Sequence, residues 1–599
     1  MSRPDPIRTF RFGPEWGPEG VNFRLWAPLV EDVALRLFGH GPDRPMQRGA
    51  EGWHSLHVAG AEAGADYAFV LPGAHESERH VVPDPASRYQ PQDVHGPSRL
   101  VDGRGFIWTD AGWRPKPWHE TVFYELHIGG FSPEGTFLGA RERLDHIAGL
   151  GATAIQLLPL ADFPGDFGWG YDGVCLFAPD AAYGEPDELR ALIDAAHGRG
   201  LMVFTDLVFN HFGPDGNYLP LYAPVLSEKH ENDFGQVPNF DGEGAQMVRA
   251  FVLENIRYWF ECFHFDGARL DAVQAIRDDS RPHLLEEIAA MVHAEFPRHH
   301  LTVENSNNEA GWLARDAEGR PRLFTAQWAD DIHHTMHVIA TGDQHDYYAN
   351  YDRPIGQLGR ALAEGYVYQG ERRPTDGSDV GEKSGHLPPT AFVAFLQNHD
   401  QVGNRPCGDR LNRTASPEAM LALSTIYLLA PGIPLVFMGE EFDATTPFPY
   451  FSDLPERMHD DIHKSWLDKL EEWPVPSDPP DPFAVETFES ARLDWHEREL
   501  GLPILEHYRA LLRLRHREIV PRLADIEGHA GRYQVLAGHG LEVEWRLGDG
   551  SRLIMLANLG DEPAEDLPIW RGRLLWLTGA ADAHRLGGWS VMVGLEEPD

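Results

Sequence analysis

Positive charge is scarce in this chain: 51 Lys and Arg stand against 93 Asp and Glu among 599 residues, a net charge of −42. Nucleic acid and anionic membrane surfaces would be repelled by such a surface, so neither is an expected partner. Cysteine is scarcer still. Cys175, Cys262 and Cys407 are odd in number and far apart, which excludes a disulfide framework and a zinc spacing. A reducing compartment suits them, and a cytoplasmic location is expected. The opening "MSRPDPIRTFRFGPEW" lacks the apolar stretch of a secretory leader. Uninterrupted long apolar runs are absent as well. The nearest, residues 420–439, is broken by Pro431, Gly432 and Pro434 and reads as a buried helix, a turn and a short buried strand. No phosphate-binding G-x-x-x-x-G-K-[ST] occurs, and the glycines of "GWGYDG" (168–173) are too few and wrongly placed for a dinucleotide.

Residues 1–112 read as a β-sandwich, because segments such as "GVNFRLWAP" alternate apolar and polar residues between turn signals. A linker rich in tryptophan and proline, "WRPKPWHE" (113–120), follows. From there to about residue 520, eight short apolar runs alternate with helical segments. They lie at 121–131, 152–162, 201–211, 264–273, 300–308, 322–331, 391–400 and 434–442. Strand–helix alternation of this kind predicts an α/β fold with a catalytic (β/α)8 TIM barrel. Residues 521–599 return to short β signals and suggest a second β-sandwich.

The informative feature is where the polar residues fall. Most runs begin apolar and end in Asp, Glu, His or Asn, and the C-terminal ends of barrel strands form the active-site face. Asp206, Asn210, His211, Asp271, Glu304, His399 and Asp400 should therefore meet at one mouth. In "FHFDGARLDAV" (263–273), Arg269 and Asp271 are two apart and share a strand face, so the guanidinium is expected to hold Asp271 ionised. An ionised carboxylate held in place can be a nucleophile, and equally a member of a structural ion pair. Glu304, on the next strand round and near other acids, should have a raised pKa, as a general acid needs. Trp169, Tyr171, Trp328, Phe209 and Phe212 lie in or beside the same strand ends, where aromatic faces suit pyranose rings. Tyr171, between glycines and beside Asp172, is the favoured platform. "DDIHH" (330–334) is expected to be a solvated or sugar-contacting loop, with metal the lesser reading.

With these residues assembled, "DLVFNH", "GARLDAV", "TVEN" and "QNHD" resemble, in order, the four short motifs of the α-amylase superfamily of glycoside hydrolases. The resemblance implies that Asp271 is the nucleophile, Glu304 the acid/base and Asp400 a third carboxylate on the sugar hydroxyls. It also implies that Asp206, His211, Arg269 and His399 surround the sugar at the cleavage point, over Tyr171. Trp169, Asp172, Asn398 and Asp331 complete the expected substrate-binding set. Longer stretches, including "FPGDFGWGYDGV" (163–174), "QWADDIHHTMH" (327–337) and "LQNHDQVGNRPCGDRL" (396–411), are similar to the malto-oligosyltrehalose trehalohydrolases. Those enzymes release trehalose by cutting the α-1,4 bond beside a terminal trehalose unit. Malto-oligosyltrehalose is then the implied substrate. The synthase that makes it is a metabolic neighbour, without an implied complex. Departures occur at "HIGGF", at "ENSNNEAG" after the acid, and at 456–473. They bear on the leaving-group side. A debranching or branching enzyme and a non-catalytic glucan-binding protein are the alternatives. Asn210 occupies a position that helps bind calcium in some α-amylases, but no acidic oxygen-rich loop accompanies it, so no metal or cofactor is expected.

Overall fold

The computed structural model describes residues 9–73, 78–232, 235–470, 473, 479–565, 568–582 and 585–598. Residues 1–8 of the opening stretch, and 471 and 472 within the departing stretch 456–473, lie outside them.

Each of the eight apolar runs supplies one strand. These are β1 (Phe123–Leu126), β2 (Ala154–Leu157), β3 (Met202–Leu207), β4 (Gly267–Leu270), β5 (His300–Val303), β6 (Ala326–Trp328), β7 (Phe392–Phe395) and β8 (Ile433–Phe437). They pair in parallel, in chain order, and β8 closes on β1. The strands are mostly apolar on both faces because one face meets the barrel interior and the other the surrounding helices. Phe123, Met202, Phe204, Trp328, Phe395 and Leu435 fill the interior as a packed cluster. Trp113 and Trp118 of the predicted linker pack against that cluster, so this segment is a plug, not a free tether. Trp118 Nε1 donates to the Thr390 carbonyl at 2.7 Å.

Helix Pro186–His197 begins with proline and a reciprocal Glu185–Glu188 capping box, as its sequence signals require. The run at 420–439 forms helix Pro417–Leu429 and then β8. Among the described residues no helix is long and apolar enough to cross a membrane.

Antiparallel sheets precede and follow the barrel along the chain. The N-terminal region pairs strands Glu15–Gly17, Gly20–Trp26, Trp53–Ala59 and Gln47–Arg48 in one sheet, and centres a second on Ala34–Leu37 and Asp66–Pro72. The C-terminal region, expected as a second β-sandwich, is likewise built of antiparallel sheets. Its principal element is one five-stranded sheet, accompanied by a two-stranded ribbon. Its other partner is the barrel itself: Trp545 Nε1 donates to the Leu362 carbonyl at 2.9 Å.

One loop reading is corrected outright. "DDIHH" opens helix Asp330–Thr341, in which Ile332, His333, Met336 and His337 are buried. The apolar residues recur at helical spacing, and the two aspartates sit in the first turn, where the helix dipole favours them.

Candidate active site

Backbone pairing sets the geometry of the strand ends. Asp206 on β3 stands level with Arg269 on β4. Beyond the strands the ladder continues: Asp271 N donates to Leu207 O at 3.1 Å and Glu304 N to Leu270 O at 3.0 Å. Asp271 and Glu304 are thereby held side by side. Ala272 follows in a left-handed conformation at φ 41°, which is rare for a residue with a Cβ. That turn aims its N–H at Glu304 Oε2, 3.2 Å away.

Arg269, 2 % exposed, is the hub. Its Nη1 lies 2.5 Å from Asp206 Oδ2 and 3.1 Å from Asp271 Oδ1, and its Nη2 lies 2.5 Å from Glu304 Oε2. The Trp328 ring lies beneath it at 4.5 Å. The expected private pairing with Asp271 is therefore a shared one, and it does not dominate. Burial pushes the Asp271 pKa up, and the pull of Arg269 offsets this only in part. Asn210 Nδ2 adds a hydrogen bond to Asp271 Oδ2 at 2.8 Å.

Asp271 and Glu304 share the Arg269 guanidinium. Glu304 is the one suited to hold a proton: burial raises its pKa first and the Asp271 charge second among the upward pushes. An anion and an acid on the two sides of one bond are what glycosidic cleavage requires.

The remaining predicted residues divide. Tyr171 donates its hydroxyl to Asp206 Oδ2 at 3.0 Å, lies 2.8 Å from His399 Nε2, and stacks on that imidazole. His211 bridges Asn210 Oδ1, at 2.5 Å, and the Tyr171 carbonyl, at 3.0 Å. Asp400 is partly exposed, its pKa raised by burial, and accepts from Asn404 Nδ2 at 2.6 Å. Asp172 bonds Ser452 Oγ at 3.2 Å. Three expected substrate contacts have other work. Asp331 is buried, and Tyr351, Asn308 and the Val367 N–H occupy both its oxygens. Its neighbour Asp330 is the one that feels Glu304 and Asp400, and burial raises its pKa. Asn398 caps the short helix His399–Gly403 through Gln401 N. Trp169, 6 % exposed, stacks on Phe448 and donates to the Pro449 carbonyl.

Sequence reasoning missed Glu125. It sits inside β1, fully buried, and accepts from His399 through Nδ1 at 2.5 Å and the backbone N at 3.1 Å. The signal was a charged residue in mid-run, within "FYELH".

One grouping among the described residues could ligate a metal: His230, Asp241 and Asp279. Lys229 Nζ already lies 3.2 Å from the Asp241 oxygen that His230 meets. A cation is thus in place there.

A closed barrel with an acid and an anion paired at its strand ends defines a glycosidase. Comparison with known proteins agrees. The α-amylase catalytic-domain model matches residues 97–234 and 230–470. Carbohydrate-binding module 48, the isoamylase N-terminal domain, matches 11–87, and a domain of unknown function (DUF3459) matches 528–593. A malto-oligosyltrehalose trehalohydrolase of Deinococcus radiodurans is 38% identical, over 98% of this chain and 97% of its own. That of Saccharolobus solfataricus is 38% identical, over 84% and 86%. A solved structure from Salmonella typhimurium, described as a candidate alpha amylase, superposes with TM-score 0.94 at 41% identity, over 98% of this chain and all of that one. The chain belongs to the malto-oligosyltrehalose trehalohydrolase family of α-amylase-type glycosidases.

Proposed function

We propose that this enzyme cuts the α-1,4-glucosidic bond beside the terminal trehalose unit of malto-oligosyltrehalose, releasing trehalose with retention of configuration. The observation that carries the mechanism is that one guanidinium holds both carboxyl groups, Arg269 Nη1 at 3.1 Å from Asp271 Oδ1 and Nη2 at 2.5 Å from Glu304 Oε2. Retaining glycosidases hold their carboxyl groups about 5–5.5 Å apart, whereas inverting ones leave roughly 6.5–9.5 Å for a water. Carboxyl groups on adjacent strand ends that share one guanidinium suit the shorter class.

In this reading Glu304 protonates the leaving oxygen while Asp271 attacks the anomeric carbon. Water, deprotonated by Glu304, then releases the glycosyl group. Asp400 binds sugar hydroxyls. Asp206, with one oxygen buried and unpartnered, offers a further acceptor beneath the ring, and Tyr171 supplies a stacking face. Trehalose as the leaving group is supported by the names of the relatives. The synthase that builds the substrate's terminal unit is a metabolic neighbour, and three unpaired cysteines suit a cytoplasmic enzyme.

Maltotriosyltrehalose, maltotetraose and a branched glucan, incubated separately with the enzyme, test the substrate. Trehalose and maltotriose should appear from the first, with the other two intact. Rapid cleavage or transfer on the branched glucan would assign the chain to debranching or branching chemistry instead.

A further inference from the structure

We propose that Glu125 is a positioning residue that holds His399 as an imidazolium, with Nδ1–H on Glu125 and Nε2–H on the Tyr171 hydroxyl. The inference rests on the reading of His399, Tyr171 and Asp206 as the floor of the sugar site.

Hydrogen-bond bookkeeping carries it. Glu125 is fully buried, and its Oε2 accepts the His399 backbone N–H at 3.1 Å. Its Oε1 meets His399 Nδ1 at 2.5 Å. A carboxylate can only accept, so Nδ1 carries a proton. On the far side of the ring, Nε2 lies 2.8 Å from the Tyr171 oxygen. The Tyr171 hydrogen is already directed to Asp206 Oδ2, at 3.0 Å, an oxygen that Arg269 also contacts at 2.5 Å. Tyr171 therefore presents a lone pair to Nε2, which must carry a proton too. A neutral imidazole has one N–H, and two are needed here.

The charges around the ring agree. Burial and Arg269 oppose the cation, but Glu125 and Asp400 outweigh them, and the His399 pKa is raised. Asp206 faces the same ring: burial raises its pKa, and after Arg269 the His399 charge offsets part of that rise. His127, also near, is pushed down to about 4 and adds no competing charge at neutral pH. Trp169 and Trp328 close the remaining sides as edge-on rings.

The consequence lies in Tyr171. With Nε2 protonated, the phenol must give its hydrogen to Asp206, and the aromatic ring is fixed in orientation. Without the proton, the bare Nε2 would accept that hydrogen, and the bond to Asp206 would break. Glu125 touches no substrate. It acts through His399.

Glu125→Gln keeps the shape and removes the charge. At pH 7 kcat/KM should fall about 100-fold, the scale of loss for a misaligned site. The alkaline limb of the kcat/KM profile should move to lower pH, because burial and Arg269 then depress His399 against Asp400 alone. In a His399→Gln background the same change should leave the limb where it is. A Glu125→Gln enzyme with an unmoved alkaline limb would overturn the inference. Urea unfolding gives a second measurement that needs no substrate. His399→Gln strands a buried carboxylate, so its midpoint should lie below that of the Glu125→Gln/His399→Gln double variant. Equal midpoints would also overturn it. If Glu125→Gln does not fold, His399→Gln against wild type still decides. A raised histidine pKa gives stability that is present below its ordinary 6.5 and lost as pH rises through the folded value, so the wild-type midpoint should fall above pH 6.5 more than that of His399→Gln. Equal falls would count against the imidazolium. Inactivity of the wild type on maltotriosyltrehalose would instead strike at the proposed substrate and leave the unfolding results to judge Glu125.

Discussion

Arg269 and Arg249 are both buried arginines surrounded by acids and oxygens, yet they have opposite characters. Arg249, on helix Ala245–Phe263, is saturated. It donates to Glu287, Asp278, Ser280 and the carbonyls of Phe240 and Pro282. Its partner Asp278 accepts further bonds from the backbone and hydroxyl of Ser280 and from Leu284 N. Burial alone would raise the Asp278 pKa, but these bonds outweigh it and lower it. The Arg269 cluster is left incomplete. Arg269 Nε and Asp206 Oδ1 are buried without partners, and Asp206, Asp271 and Glu304 all have raised pKa values, with burial the largest cause. A structural ion cluster satisfies its members. A reactive one leaves capacity for a ligand and keeps its acids near the point of proton exchange.

Substitutions sharpen this contrast. Asp271→Asn should fold and lose at least about 10⁴-fold in kcat, as removal of a nucleophile does elsewhere. Single-turnover assays on maltotriosyltrehalose, with circular dichroism as the folding control, check it. Arg269→Leu should cost about 10³-fold in kcat/KM. Without the guanidinium the Asp271 pKa rises further, and because Asp271 must be deprotonated to attack, the acid limb of the kcat/KM profile moves to higher pH. Lys should rescue poorly, since a point charge cannot replace a fork that spans three carboxylates. Near-wild-type turnover in Arg269→Leu would erase the distinction between the two clusters.

Arg249→Leu should do the reverse. Breaking a buried pair costs about 3–5 kcal/mol, visible in urea unfolding, while activity per folded molecule is preserved. The smallest effects should differ in sign. Asp278→Asn lowers the unfolding midpoint at pH 7. A depressed carboxyl pKa gives stability that is present above its ordinary 3.8 and lost as pH falls through the folded value, so this difference should vanish in acid. Glu304→Gln should raise the midpoint at pH 7, because a carboxyl raised above 4.5 opposes folding once charged. The gain should disappear below pH 4.5. A drop for both variants would show that the open cluster is as structural as the closed one.

Asp330 and Asp331 teach the same lesson at one residue's spacing. Adjacent acids in "DDIHH" are indistinguishable as letters. In a helix, neighbours point about 100° apart, so Asp331 turns toward Tyr351 and Val367 while Asp330 remains within the field of Glu304 and Asp400. Asn398 was drawn to the site by its place in "QNHD", yet its side chain spends its acceptor on the helix it caps. Glu125 escaped notice because it precedes the strand end by a residue and lies among apolar neighbours.

The sequence by itself determined the eight strands, their order and the acids at their ends. Those follow from local periodicity, from proline and glycine, and from the rule that parallel strands closed in chain order present one set of ends together. It also identified Asp271 and Glu304 as neighbours, since consecutive strands pair. Only the tertiary structure decided how charge is shared among them. Arg269 serves three carboxylates because β3, β4 and β5 bring Asp206, Asp271 and Glu304 within reach of one guanidinium. Glu125 reaches His399 across 274 residues because closure sets β1 near the end of β7. Burial then sets the protonation, and burial is a property of everything packed around a group, which no stretch of letters carries alone.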